Sequence, residues 1–202
     1  PLEAAFTLRY AYPNFPKGTV HLIAVQEVVA NGVLLAAEMD GHYFLCADNG
    51  ILSLINPDLK INKVVAIDFR EDIESKLFPS RDVLAKAAVH LAKGGAIGLL
   101  GREVKNMQQN TSFKPRFTDD KSKILGRVIY VDNFGNLITN VNKPYFAECC
   151  GDRTFEITLP RRNKIHKLVQ QYADVEEGGV LALFNAHGLL EIAVSGAGNY
   201  TF

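Results

Sequence analysis

The chain has 202 residues, 48% of them hydrophobic and 22% charged, with no tryptophan. That length supports one large domain or two modest ones with real cores. Lys plus Arg and Asp plus Glu both count 22, and a formal net charge of zero argues against a nucleic acid or an anionic membrane as partner.

The chain begins at Pro1 without a methionine and moves straight into Leu2-Glu3-Ala4-Ala5-Phe6-Thr7-Leu8, which reads as a helix already under way. The expectation is that a native N-terminal segment lies ahead of it. This helix should end near Tyr12-Pro13, because proline disfavours a helical residue before it. Thr19–Val25 is a short, nearly continuous apolar run of the kind a buried strand shows. Val33–Glu38 and His42–Ala47 flank Asp40-Gly41, a hairpin signal. Asp48-Asn49-Gly50 is a further turn, followed by a short helix or turn and the strand Val64–Phe69.

Ser80–Lys93 is the clearest helix. Pro79 and Ser80 supply a breaker and an N-cap, Val83, Leu84, Ala87, Ala88 and Leu91 share a face, and Gly94 stops it. The polar stretch Met107–Asp120 reads as a domain linker. Beyond it come short strands at Gly126–Val131, Asn136–Val141, Thr154–Leu159, Lys164–Val169, Val180–Phe184 and Leu189–Val194, with a helical turn near Pro144–Glu148. Strands joined by short turns imply an antiparallel sheet or small barrel. The predicted architecture is an α/β domain over 1–113, with a central mixed sheet and flanking helices, and an antiparallel β-barrel-like domain over 121–202.

Asp132-Asn133-Phe134-Gly135-Asn136 is the most informative segment. A strand delivers a carboxylate, an aromatic ring and an amide to one tight turn, a set suited to a flat polar heterocycle carrying a cation. The alternative is a plain turn rich in Asn and Gly. Gly94-Gly95-Ala96-Ile97-Gly98 follows a helix rather than a strand, so it lacks the geometry of a dinucleotide loop. There is no Gly-x-Ser-x-Gly elbow, Walker loop or His-Glu-x-x-His. Of the histidines, His21 and His90 read as packing residues and His42 and His166 as strand residues. His187 lies in the turn Asn185-Ala186-His187-Gly188, where the plain alternative is an exposed turn histidine. The basic stretch Arg161–Lys167 reads as a solvated hairpin, with nucleic-acid contact a minor alternative.

Three cysteines do not make a disulfide framework in a chain this long, Cys149 and Cys150 are adjacent, and no set has zinc-ligand spacing. Matches to Asn-x-Ser/Thr at Asn110 and Asn199 are short enough to arise by chance. The expected setting is a reducing cytoplasm, with no metal and no cofactor. No apolar stretch reaches membrane-spanning length and no signal peptide is visible.

Several segments together resemble one family. They are Ala11–His21 (AYPNFPKGTVH), Gly41-His42-Tyr43-Phe44 with Ala47–Ser53 (ADNGILS), Phe78–Asp82 (FPSRD), Ile129–Asn136 (IYVDNFGN) and Leu183–Ala193 (LFNAHGLLEIA). The resemblance is to the S-adenosylmethionine hydroxide adenosyltransferases, relatives of fluorinase and chlorinase, and runs in the same order along the whole chain. It implies an α/β domain plus a barrel-like domain, a homotrimer, and a small-molecule site between the first domain of one subunit and the second domain of its neighbour. The implied reaction is displacement at the ribose 5′ carbon, water or halide expelling methionine from the sulfonium.

By the same resemblance, Asp132 holds the methionine ammonium, Asn136 reads the adenine edge with Phe134 beside it, and Tyr172 lies against adenine. A buried tyrosine with a satisfied hydroxyl is the plain alternative for Tyr172. Asn185, Ala186 and His187 match the turn that handles the methionine carboxylate, and the backbone of Gly196 meets adenine. The hydrolase members carry Asp-Pro-Gly-Val-Gly after the first strand, a following arginine, and a histidine before the Arg-Asp pair. Here those positions read Gln26–Ala30, no arginine before Asp40, and Pro79. The family's water-activating Asp/Arg/His set is thus unmatched, its N-terminal strand with a ribose-binding aspartate has no counterpart, and Ala186 replaces a halogenase-type serine. The candidates for positioning water are Ser80, backbone near the helix start, and Gln26. The expected function is hydrolysis of S-adenosylmethionine to adenosine and methionine. The alternatives are a non-catalytic S-adenosylmethionine or adenosine binder and, more remotely, a halogenase.

Overall fold

The computed structural model describes residues 1–28, 31–55, 61–68, 78–110, 114–120, 122–159 and 164–196. The chain divides into two compact units, Pro1–Thr111 and Ser112–Phe202.

In the first unit, α1 (Leu2–Ala11) buries Ala5 and Phe6 and passes into a tight turn at Tyr12–Asn14, with Pro13 inside that turn. The strands are β1 (Val20–Ile23), β2 (Leu34–Met39), β3 (His42–Ala47), β4 (Lys63–Ile67) and β5 (Gly101–Glu103). They form a mixed sheet in the order β1-β3-β2-β4-β5, with β1 parallel to β3 and the other pairs antiparallel. The β2–β3 hairpin closes as Asp40-Gly41 predicts: both residues have positive φ, 50° and 71°, and Met39 pairs with His42.

The strand expected over Thr19–Val25 is shorter, because Gln26 turns the chain away with φ of 45° while Asn49 Nδ2 donates to the carbonyls of Val25 and Gln26. The strand expected to reach Phe69 ends at Ile67; Phe69 lies outside the described residues.

The predicted helix is continuous from Ser80 to Ala92. It opens with wider i→i+5 turns over Ser80–Leu84 and continues as α3 (Ala85–Ala92). Leu84, Ala87 and Leu91 pack on Ala36, Leu45 and Val65 of the sheet, with Ile97 and Leu100 closing that core. On the other face Leu35, Ala37, Phe44 and Cys46 are buried, and α1 packs on the short helix α2 (Ile51–Ile55). Gly101 is where backbones meet: a Cβ there would stand 1.8 Å from the Ala66 carbonyl oxygen.

The second unit holds an antiparallel sheet of four strands: β8 (Val128–Val131), β9 (Leu137–Asn142), β12 (Val180–Phe184) and β13 (Leu189–Val194), in the order β12-β13-β9-β8. Two small ribbons accompany it, β6 (Arg116–Phe117) with β7 (Ile124–Leu125) and β10 (Ile157–Thr158) with β11 (Lys164–Ile165). Among the described residues these strands close no barrel, which corrects the barrel-like expectation. β6 also falls inside the stretch expected to be linker.

The strands expected over Thr154–Leu159 and Lys164–Val169 pair only as the two-residue ladder of β10 and β11. Phe155 instead sets its ring edge against Phe146, 5.1 Å between centroids, and the Val169 amide donates to Ala182 O. The expected single turn at Pro144–Glu148 is a full helix, α4 (Lys143–Cys150). Asn142 caps it by accepting the Tyr145 amide at 2.8 Å, and Gly151, with φ of 53°, follows its end. One sheet face packs Val141, Ala182, Leu190 and Ile192 against Ile165 and the partly buried Phe146. The other packs Leu181, Leu183 and Ala193 against Val169 and Val175.

Candidate ligand site

The turn from β8 to β9 is built by one carboxylate. Asp132 Oδ1 accepts the amides of Phe134 and Asn136, each at 2.9 Å, and Oδ2 accepts Asn136 Nδ2 at 2.9 Å. Asp132 is half-buried, while Phe134, two residues on, is 75% exposed. The plain-turn reading accounts for the Asx hydrogen bonds.

The second cluster centres on a residue that sequence reasoning passed over. Glu191 lies mid-strand in β13, 4% exposed, opposite Leu183 on β12 and Ile138 on β9. Its Oε1 accepts the Tyr172 hydroxyl at 2.5 Å and its Oε2 accepts Asn185 Nδ2 at 3.1 Å. The signal was present: a lone carboxylate inside Leu189–Val194, whose other members are all apolar.

Tyr172 sits in the tight turn Tyr172–Asp174, in the stretch between Val169 and Val175 that pack on the face carrying Leu183. Its residue is 45% exposed although its hydroxyl is tied down. Both expectations for this tyrosine therefore meet in one residue, an accessible ring and a satisfied hydroxyl. Burial first, then the hydrogen bond and charge of Glu191, then the charge of Asp132, push its phenol up to about 12. The β9–β13 register, with Ile138 opposite Glu191 and Leu137 opposite Ile192, brings the β8–β9 turn to the strand that carries Glu191.

Asn185 organises the β12–β13 turn. Its Oδ1 accepts the amides of His187 at 3.0 Å and Leu189 at 3.2 Å, which fixes its Nδ2 toward Glu191. Ala186 and His187 are exposed on this turn. Gly196, with φ of 71°, follows β13, and a Cβ there would meet Glu177 Cγ at 2.6 Å. Thus Asp132, Asn136, Tyr172 and Asn185 belong to one connected region, with Phe134 and His187 on its turns.

Gln26 and Ser80 lie in the first unit. Gln26 is exposed, and the next residue, Glu27, reaches across 53 positions so that its Oε2 accepts the Ser80 amide at 2.8 Å. The expectation that Ser80 caps its helix is corrected here. Pro79 stands at the cap position without a side-chain hydrogen bond, and the capping carboxylate comes from Glu27, where it also faces the positive end of the helix dipole.

Among the described residues no group of three or more His, Cys, Asp or Glu is placed to hold a metal ion, and no helix is long and apolar enough to cross a membrane.

The family model described as SAM hydroxide adenosyltransferase N-terminal domain matches residues 1–101, and the corresponding C-terminal domain model matches residues 126–199. The chain is 29% identical over 198 residues to a protein of Methanocaldococcus jannaschii named (R)-S-adenosyl-L-methionine hydrolase, covering 95% of this chain and 69% of that one. A Thermus thermophilus protein of the same name is 28% identical over 208 residues, covering 96% and 74%. Among solved structures, an uncharacterized conserved protein from Thermotoga maritima superposes with a TM-score of 0.76 at 26% identity, covering 96% of this chain and 76% of that one. A conserved hypothetical protein from Thermus thermophilus gives 0.69 at 27% identity, covering 95% and 72%.

Proposed function

The chain belongs to the SAM hydroxide adenosyltransferase family, and from that membership we propose that it hydrolyses S-adenosylmethionine to adenosine and methionine. The observation that carries the proposal is the region around Glu191, which gathers a carboxylate, amides and an accessible aromatic ring on neighbouring turns. In this reading Asp132 takes the methionine ammonium. Asn136, oriented by Asp132, reads the adenine edge, and the rings of Phe134 and Tyr172 flank the purine. The turn Asn185-Ala186-His187 receives the methionine carboxylate through its backbone, and Gly196 offers backbone to adenine.

The chemistry asks little of acid–base groups. Water attacks the ribose 5′ carbon as the carbon–sulfur bond breaks. The electron pair leaves with sulfur as a neutral thioether, and the new hydroxyl sheds one proton. No acid is needed for the leaving group, and a dry pocket favours a step that neutralises a cation. The enzyme mainly aligns water with the carbon–sulfur bond. Ser80, the helix-start backbone or Gln26 positions that water, and Glu27, held at Ser80, supplies a carboxylate for the proton. No cofactor or metal enters this scheme.

We place the site between the first unit of one protomer and the second unit of its neighbour in a homotrimer working in the cytoplasm. Support comes from the apolar residues that the second unit exposes, Leu125, Val128, Val131 and Phe134, which a neighbouring protomer would cover. Incubating the purified protein with S-adenosylmethionine and separating the products by chromatography tests the activity. Equal amounts of adenosine and methionine, well above the uncatalysed rate, are expected. Binding without turnover contradicts the proposal.

A further inference from the structure

A sheet with no task beyond folding has no use for a carboxylate at position 191. The residue lies between Leu183 and Ile138 with 4% of its surface exposed, and removing a carboxylate from water is costly. What the position receives explains what it needs. The Tyr172 hydroxyl donates to one oxygen and Asn185 Nδ2 donates to the other. Asn185 cannot turn its amide around without loss, because its Oδ1 already accepts the amides of His187 and Leu189. Asn185 is a fixed donor, and the Tyr172 hydroxyl donates as well, so a carboxylate accepts both. An amide at 191 accepts from Asn185 alone and turns the phenol from donor to acceptor, which gives up the charge-assisted bond and rotates the hydroxyl.

These donors come from two separate turns. Tyr172 lies in a turn between extended segments, and Asn185 lies in the β12–β13 turn. We propose that Glu191 is a positioning residue that joins Tyr172 and the Asn185–His187 turn into one preformed wall, so that the surfaces for the two ends of the ligand are set together. The inference rests on the hydrolase reading for the identity of the ligand. Glu191 touches no substrate in it. The charges of Glu191 and Asp132, both felt at the Tyr172 hydroxyl, also make this wall electronegative, as a sulfonium amino acid would favour.

The test compares wild type, Glu191→Gln, Tyr172→Phe and the double variant. It reads KM and kcat for S-adenosylmethionine, adenosine affinity by calorimetry, and thermal unfolding. Glu191→Gln is expected to raise KM and weaken adenosine roughly tenfold, with kcat nearly kept, since a lost hydrogen bond to a charged group is worth about that factor or more. The double variant is expected to perform like Tyr172→Phe alone, because with the phenol gone a single acceptor satisfies Asn185. That rescue is something a merely structural carboxylate does not produce. An active wild type whose Glu191→Gln variant keeps its KM, or a double variant in which the two losses multiply, overturns the positioning role. If Glu191→Gln alone does not fold, the comparison of Tyr172→Phe with the double variant decides in the same way. A wild type that makes no adenosine removes the hydrolase reading, and adenosine affinity then decides the positioning role. No affinity removes both.

Discussion

Asp132 performs two tasks with one side chain, and they can be separated. Its Oδ1 holds the turn through two backbone amides, and its charge is proposed to hold the ligand ammonium. Asp132→Asn keeps an oxygen for the amides but removes the charge and sets an NH2 against Asn136 Nδ2. The expected outcome is a fold stable to within about 1 kcal/mol and a KM for S-adenosylmethionine raised about tenfold or more. An unchanged KM in steady-state kinetics contradicts the assignment. At this scale the sequence was partly legible. Asp132, Asn136, Tyr172 and Asn185 follow from the family resemblance, and the structure sets Asp132 against Asn136 and both Tyr172 and Asn185 against Glu191. The lone carboxylate of Glu191 stands out in its apolar strand, but the tyrosine that gives it a role does not follow from any local pattern, and neither does the contact of Glu27 with Ser80. Glu191 meets a residue 19 positions away, and Glu27 one 53 positions away.

Among the elements, the parallel pair β1–β3 carries an unusual load. His21 Nε2 and His42 Nδ1 lie 3.3 Å apart, His42 is fully buried, and its Nε2 has no hydrogen-bond partner. Tyr12, Phe15 and Phe44 surround the two rings. Burial, and then the neighbouring His42, push His21 down. For His42, burial and then Lys17 push the same way, with Asp40 opposing. Both rings are therefore held neutral in the folded state. The stability this confers is complete above the unfolded histidine value of about 6.5 and is lost as pH falls through the lowered folded values. Denaturant unfolding should show a loss of stability as pH falls below about 6.5. His42→Phe, which does not titrate, should flatten that slope, at an overpacking cost of about 1–3 kcal/mol at neutral pH. A slope identical to wild type contradicts the account. Sequence patterns marked both histidines as packing or strand residues, but which rings meet is set by the β1–β3 register, Val20 to Tyr43 and His21 to Phe44, which composition does not encode. The β2–β3 hairpin was legible because Asp-Gly acts locally. Strand lengths in the second unit were not, because Phe155 and Val169 leave their ladders for tertiary partners.

For the molecule as a whole, most helices and strands of both units could be read from periodicity, β5 and the β6–β7 ribbon excepted, and the family resemblance from motifs spread along the chain. Sheet order and the open form of the four-stranded sheet could not be, since pairing between strands far apart in sequence leaves no local trace. The account makes the trimer necessary to a complete site, and sedimentation velocity of the purified protein should show a single species of three chains. Its central claim concerns one bond, from water oxygen to the ribose 5′ carbon. The most direct measurement is to run the reaction in water enriched in the heavy oxygen isotope and read both products by mass spectrometry. The account predicts one heavy oxygen in the adenosine 5′-hydroxyl and none in methionine. Unlabelled adenosine, or a nucleoside that keeps the sulfur, would contradict it.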